Sequence, residues 1–371
     1  MTFRELGVRK DYIKGLHELG IKKPTQVQKE SIPYLLGNNS DFIGLAETGT
    51  GKTAAYGIPV LHKIDTSKDT IQALILSPTR ELVQQIKKQL FKFTKYADDK
   101  IFLEAVYGGE KIERQIKNLK RTTHIVVATP GRLIDLIERG SVNLKDIGTL
   151  ILDEADEMLS MGFKEELNRV LKYTSGKRKT WLFSATMPPE IRNIVKKYMT
   201  ASTKQIEVNK NLYVNKNITH QFIETTIPEK VKLIVRFLEK KSFSRGIIFS
   251  RTKAGAQKLA KELRKEGFSV EALEGNMQQK ERDKVMRSFK NKNLQVLVST
   301  DVAARGIDVK NLSYVIHHQL PEKNEYYTHR SGRTARAGEI GVSLVLVLKN
   351  EKERLLELER SLKIKITEIS I

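Results

Sequence analysis

Phe42-Ile43-Gly44-Leu45-Ala46-Glu47-Thr48-Gly49-Thr50-Gly51-Lys52-Thr53 runs from a short apolar stretch, through a glycine-spaced turn, into Lys-Thr and a helix-forming segment. A strand that empties into such a turn and then a helix opens a βαβ unit. Its glycines let backbone amides face an anion at the helix N-terminus, where the helix dipole also favours negative charge. The octet Ala46 to Thr53 fits the phosphate-loop pattern with alanine at the first glycine position. In that pattern Thr48, Gly49, Thr50 and Gly51 wrap phosphates, Lys52 supplies a cation, and Thr53 offers a hydroxyl to magnesium. A glycine-rich turn with no ligand would not require the Gly-Lys-Thr run.

Outward from this stretch, β-branched runs alternate with amphipathic segments. They lie at 42–45, 73–76, 102–106, 125–127, 150–152 and 181–183, and again at 246–249, 296–298, 314–316 and 342–347. The alternation predicts an α/β chain with parallel sheets flanked by helices. Between the two series, 208–217 is polar and rich in asparagine. The pattern therefore predicts an N-terminal domain over 1–208, a linker over 209–217 and a C-terminal domain over 218–371. A charge-laced helix over 350–362 closes the second domain.

Leu150-Ile151-Leu152 ends in Asp153-Glu154-Ala155-Asp156, so carboxylates emerge where a parallel strand meets the ligand crevice. Asp153 is placed to hold magnesium through water, and Glu154 to polarise an attacking water. An isolated acidic quartet is usually a solvated loop. Lys52 and Thr53 upstream give this one a task.

The 371 residues carry 66 lysines and arginines against 44 acids, a formal +22. Residues 1–218 hold 36 basic and 25 acidic side chains, and residues 219–371 hold 30 and 19, so the excess belongs to both halves rather than to a tail. A basic folded surface points to a polyanionic partner, nucleic acid first. The absence of cysteine excludes disulfides, thiolate metal sites and a cysteine nucleophile. No apolar run approaches the ~20 residues of a membrane span, and Met1-Thr2-Phe3-Arg4-Glu5 carries no hydrophobic signal core. A cytoplasmic protein without membrane association is expected.

The Asp153 to Asp156 tetrad, with Ala46 to Thr53 before it and Ser184-Ala185-Thr186 after it, closely resembles the DEAD-box RNA helicases, from Phe3 to about Gly338. The resemblance implies two tandem RecA-like parallel-sheet domains, ATP and Mg2+ as cofactors, and RNA as partner. In Lys22-Lys23-Pro24-Thr25-Gln26-Val27-Gln28 it assigns Gln28 to the adenine edge, and it places Phe3 against the base. In the second half it assigns Asp308 to the ribose and Arg333 and Arg336 to the γ-phosphate as arginine fingers, with His329 as a link to the tetrad. Asp156, Ser184 and Thr186 resemble the segments that couple hydrolysis to unwinding. Pro78, Arg80, Gly108, Gly109, Thr129 and Arg132, then Gly275, Arg282 and Thr300, resemble contacts to the RNA backbone, which carry little sequence preference. The closely spaced aromatics of a base-stacking platform are not found.

The chain departs from the family pattern at several points. Ile21 stands where an aromatic is common, Ser331 and Ala335 replace isoleucine and glycine in the arginine motif, and His318-Gln319-Leu320-Pro321 stands where Asp-Leu-Pro is common. The expected activity is RNA-stimulated ATP hydrolysis coupled to lobe closure and local, non-processive unwinding. The alternative is an ATP-gated RNA clamp or ribonucleoprotein-assembly scaffold that unwinds little. The stretch Asp153 to Phe163 resembles the bacterial cold-shock, ribosome-assembly or RNA-decay branch, which implies ribonucleoprotein or RNA-degradation partners. No third domain for target choice is expected.

Overall fold

The computed structural model describes the chain except at residues 48, 175, 177, 209–216, 243, 305–311 and 336–338. It divides into two units, Met1–Val208 and Asn209–Ile371. The expected linker, but for Asn217, lies outside the described residues.

In the first unit the strands are β1 (Phe42–Leu45), β2 (Ala73–Leu76), β3 (Leu103–Val106), β4 (Ile125–Ala128), β5 (Thr149–Asp153), β6 (Lys179–Ser184) and β7 (Lys204–Glu207). They form one sheet in the order β3-β4-β2-β5-β6-β1-β7, every pair parallel. Its helices are α1 (Lys10–Glu18), α2 (Gln26–Gly37), α3 (Lys52–His62), α4 (Arg80–Phe93), α5 (Ile112–Leu119), α6 (Pro130–Glu138), α7 (Ala155–Ser160), α8 (Lys164–Tyr173) and α9 (Pro189–Tyr198). Alternation along the strands sends Phe42, Ile75, Val127, Ile151, Trp181 and Phe183 to the face under α1 to α4. Ile43, Leu74, Val126, Leu150 and Leu182 go to the face under α6 to α9. Strands covered on both faces read as unbroken apolar runs, which is why these were visible in sequence.

The second unit repeats the plan. Its strands are β8 (Ile218–Thr225), β9 (Gly246–Phe249), β10 (Val270–Leu273), β11 (Val296–Ser299), β12 (Tyr314–His317), β13 (Gly341–Leu348) and β14 (Ile366–Glu368). Their order is β10-β11-β9-β12-β13-β8-β14, again all parallel. The helices are α10 (Lys230–Lys240), α11 (Lys253–Lys265), α12 (Gln279–Lys290), α13 (Asp301–Ala304), α14 (Asn324–Ser331) and α15 (Lys352–Leu362). The predicted closing helix is α15, entered through a 3-10 turn at Lys349–Glu351.

Four strands were not foreseen: β7, β8, β10 and β14. All lie at or next to a sheet edge, where burial is less complete. Their sequences accordingly mix charged and polar residues with apolar ones, as in Lys204-Gln205-Ile206-Glu207 and Ile218-Thr219-His220-Gln221. Among the described residues, no helix is long and apolar enough to cross a membrane.

Candidate active site and nucleic-acid interface

Three adjacent strands of the first sheet, β5, β6 and β1, end level with one another: Asp153 is in register with Phe183, and Ser184 with Leu45. The phosphate loop leaves β1, the acidic tetrad begins on the last residue of β5, and Ser184-Ala185-Thr186 leaves β6. Residues more than a hundred positions apart in sequence thus share one sheet edge, the place where parallel α/β sheets bind ligands.

Gly49 and Gly51 hold φ of 87° and 95°, the left-handed region that glycine enters without steric cost. Gly51 is also closely approached: a Cβ there would lie 2.4 Å from Gln28 Nε2. That amide donates to the Gly51 carbonyl at 3.0 Å, while Gln28 Oε1 accepts from the Thr25 amide at 3.0 Å. Gln28, expected to meet adenine, therefore also braces the loop, which spacing alone did not reveal. Lys52 Nζ donates to the Ala46 carbonyl at 3.0 Å, so its ammonium is held beneath its own loop. Phe3 is 2% exposed within the apolar cluster of the first unit and offers no open face to a base in this arrangement. Thr48 lies outside the described residues.

Asp153 is buried with one oxygen satisfied: Oδ2 accepts from the Tyr56 hydroxyl at 2.9 Å, while Oδ1 has no protein partner. Burial raises its pKa above the usual carboxylate range; Lys52 opposes the shift and Glu154 adds to it. Burial and Asp153 together push the Tyr56 hydroxyl well above its ordinary value. Tyr56 was missed in the sequence, although it lies one turn beyond Lys52 on α3. A divalent cation suits the orphaned anionic oxygen. Among the described residues no cluster of three or more His, Cys, Asp or Glu could hold a metal unaided, so most of its ligands would come from water and nucleotide phosphates, the habit of magnesium.

Glu154 caps α7 with φ 51° and ψ 51°, a left-handed backbone that costs a non-glycine residue roughly 1–2 kcal/mol. Such strain persists where surrounding structure enforces it, commonly at functional positions. Asp156 accepts from the Thr186 amide and hydroxyl and from the Glu157 amide, and its own amide donates to Ser184 Oγ at 3.3 Å. The expected coupling residues of this unit are therefore joined.

The other half of the same edge carries the expected nucleic-acid contacts. Pro78 and Arg80 follow β2, Gly108 and Gly109 follow β3, and Thr129 follows β4, and these strands are neighbours. Arg80 lies over the Tyr107 ring at 5.1 Å, and Tyr107 accepts from Gln84 Nε2 at 2.7 Å. Arg132 NH1 donates to the Glu110 carbonyl at 3.0 Å and so secures the glycine loop. Tyr107, directly before the glycine pair, was not foreseen. In the second unit Gly275 follows β10, and Thr300 follows β11 at the start of α13. Arg282 NH2 donates to the Ala303 carbonyl at 2.7 Å, which joins α12 to α13.

Arg333 is buried just beyond α14, its amide donating to the Arg330 carbonyl at 3.0 Å. Arg330 forms a two-pronged ion pair with Asp301, with NH2 2.7 Å from Oδ2, and lies over Phe249 at 5.3 Å. His329 sits on the same helix. Asp308 and Arg336 lie outside the described residues. At Ala335, where the resemblance leads one to expect glycine, the backbone takes φ 54°.

A family model described as DEAD/DEAH box helicase matches residues 25–194, and one described as helicase conserved C-terminal domain matches residues 229–338. The DEAD-box ATP-dependent RNA helicase CshA of Geobacillus kaustophilus is 40% identical over 365 residues, covering 98% of this chain and 77% of that protein. The ATP-dependent RNA helicase CshA of Limosilactobacillus reuteri is 40% identical over 366 residues, covering 99% and 73%. Among solved structures, S. cerevisiae Dbp5 bound to RNA and ADP BeF3 superposes with a TM-score of 0.90 at 30% identity, covering 99% of this chain and 95% of that one.

Proposed function

The chain belongs to the DEAD-box family of RNA helicases, and on that premise we propose an ATP-dependent RNA helicase in which RNA-stimulated ATP hydrolysis drives local, non-processive strand separation. Thr48, Gly49, Thr50 and Gly51 wrap the phosphates. Lys52 leaves the Ala46 carbonyl for them, exchanging a neutral acceptor for anionic ones. Gln28 has a second amide hydrogen for the adenine edge, so base recognition and loop shape share one side chain. Phe3 supports that region from the core. Thr53 and, through water, Asp153 would hold magnesium, which when bound would supply positive charge to the phosphates. Glu154 accepts the proton of the attacking water.

The second unit contributes Asp308 at the ribose and Arg333 and Arg336 at the γ-phosphate, where planar cations stabilise charge on the transferring group. Because these residues and the phosphate loop belong to different units, hydrolysis stays slow until ATP and RNA together draw the units closed. Pro78, Arg80, Gly108, Gly109, Thr129, Arg132, Gly275, Arg282 and Thr300 grip the RNA backbone. The bent strand they hold no longer fits an A-form duplex, and a few base pairs open. Asp156, Ser184, Thr186 and His329 relay the state of the phosphate site, and phosphate release resets the clamp. We place this work in the cytoplasm, on RNA or ribonucleoprotein.

The observation that carries this reading is the convergence of Lys52, Asp153, Glu154 and Thr186 on one sheet edge beside the strand ends that carry Arg80, Gly108 and Thr129. The test is ATPase activity with RNA or DNA, measured beside release of a labelled strand, for the parent and Glu154→Gln. RNA-specific stimulation with strand release, both lost by about a hundredfold or more in Glu154→Gln, is expected. Stimulation without release would make the protein an ATP-gated clamp, and equal stimulation by DNA would sink the RNA reading.

A further inference from the structure

Beneath α14 lies a buried polar chain that the reaction above does not use. His220 on β8, Ser343 on β13 and His317 on β12 meet Tyr327 and Ser331 of the helix, and all five side chains are buried. His220 Nδ1 is 2.7 Å from the Tyr327 hydroxyl, which is 3.5 Å from Ser343 Oγ. Ser343 Oγ is 2.8 Å from Ser331 Oγ, and His317 Nε2 reaches Ser343 and Ser331 at 3.1 and 3.3 Å. The His317 ring also stacks on Tyr327, centroids 4.7 Å apart and planes 14° from parallel.

A polar group set into an apolar sheet face is destabilising unless it is hydrogen-bonded, and here the bonds run to one short helix. Tyr327 and Ser331 are four residues apart and so lie on the same side of α14. An eight-residue helix has little stability of its own, so its place is set from beneath. Apolar packing tolerates sliding, whereas these bonds are lost if the helix rotates or shifts by a residue. The neighbour of Ser331 is Arg330, anchored to Asp301, and the chain then turns into Arg333, whose amide bonds back to Arg330. The seat of Ser331 is thus the seat of the arginine motif. Ser331 stands where the family resemblance leads one to expect isoleucine, so hydrogen bonds replace an apolar contact there. Burial, with the nearby Arg330 charge, holds His317 well below the ordinary imidazole range, which keeps the ring neutral between the two serines.

We propose that His317 is a positioning residue for phosphoryl transfer: through Ser331 and Ser343 it fixes α14, and with it the approach of Arg333 to the γ-phosphate. The inference rests on the role given to Arg333 above.

RNA-stimulated ATPase of the full chain, with kcat and KM separated, tests it in His317→Phe, His317→Gln, Ser331→Ala and Arg333→Lys, and in two double variants that combine Arg333→Lys with His317→Phe or with Ser331→Ala. Phenylalanine keeps the ring and its stack on Tyr327 but offers the serines no polar atom, while glutamine carries an amide nitrogen to roughly the place of Nε2. His317→Phe should lower kcat about tenfold or more with KM for ATP within about twofold, as expected when only a transition-state contact is displaced. Glutamine should keep most of the activity, and in the Arg333→Lys background the phenylalanine should cost less than about twofold. Parent-like kcat in His317→Phe overturns the proposal. So does a loss that persists in full on Arg333→Lys, because that is general loosening. Should His317→Phe not fold, Ser331→Ala, which removes one hydroxyl, is judged by the same comparisons. An Arg333→Lys variant with parent activity would instead remove the premise, and the proposal with it.

Discussion

Thr186 gives one oxygen of Asp156 two hydrogen bonds, from its amide and its hydroxyl, both at 2.8 Å. The segment leaving β6 is tied in this way to the acidic tetrad leaving β5. Thr186→Val preserves shape and the amide donor but removes the hydroxyl from a buried carboxylate. A hydrogen bond to a charged group contributes roughly 1.5–3 kcal/mol, so the melting midpoint of the first unit should drop by several degrees. Strand release should suffer more than ATP turnover. An unchanged ratio of strands released to ATP hydrolysed would contradict the coupling role.

Gly51 and Gly49 share a left-handed backbone but differ in surroundings. A methyl at Gly51 would collide with the Gln28 amide, whereas a methyl at Gly49 meets nothing within 4 Å. Gly49→Ala should therefore cost only the conformational term, about 1–2 kcal/mol. Gly51→Ala should displace both loop and brace and weaken ATP binding at least another tenfold. Titration with a fluorescent ATP analogue ranks the two, and equal affinities would show that Gln28 does not set the loop.

Acid should weaken the second unit before the first. Burial holds His220 and His318 at about 4, and His317 lies well below its ordinary value. Unfolded imidazoles titrate near 6.5. Below that pH the unfolded chain takes up protons that the folded unit refuses, so stability is full above about pH 7 and declines as pH falls from 6.5 toward 4. The first unit holds His62 at about 4 and a milder downward shift at His124. Trp181, the one tryptophan, is buried in the first unit. Urea unfolding followed by its fluorescence reports that unit, and circular dichroism reports both. From pH 7.5 to 5 the transition silent in fluorescence should move further; equal movement would count against this assignment.

RNA affinity should fall steeply with salt and depend little on base sequence, because backbone neutralisation releases counterions. For a single strand each neutralised phosphate contributes about 0.7 to the log-log slope, so Arg80→Ala should reduce the slope by about that amount on homopolymeric and mixed RNA alike. A flat response would exclude a phosphate-directed grip.

The parts legible in the sequence are those where local pattern and burial coincide. Ile151 and Leu152 announce β5 because both faces of that strand are covered, and Gly51-Lys52-Thr53 announces the loop because its backbone requires glycine. β8 stayed hidden because polar residues interrupt its apolar ones, and one of them, the buried His220, finds its partner in Tyr327, about a hundred residues away. The same holds for Tyr56, for the brace from Gln28 to Gly51, and for Ser331 with Ser343. Each is a lone polar residue until the fold supplies a partner. The arginine motif was legible by spacing, but what seats it was not.

β2 and β5 are direct neighbours, with Leu76 in register with Leu152. The boundary between the proposed nucleic-acid contacts and the proposed phosphate site in the first unit is therefore one inter-strand spacing, about 4.8 Å. β2 and β5 share a ladder of backbone hydrogen bonds, so the strand ends proposed to meet nucleic acid and those proposed to meet phosphate belong to one hydrogen-bonded sheet. In the first unit the two proposed ligands would thus stand on a single floor, side by side along one row of strand ends.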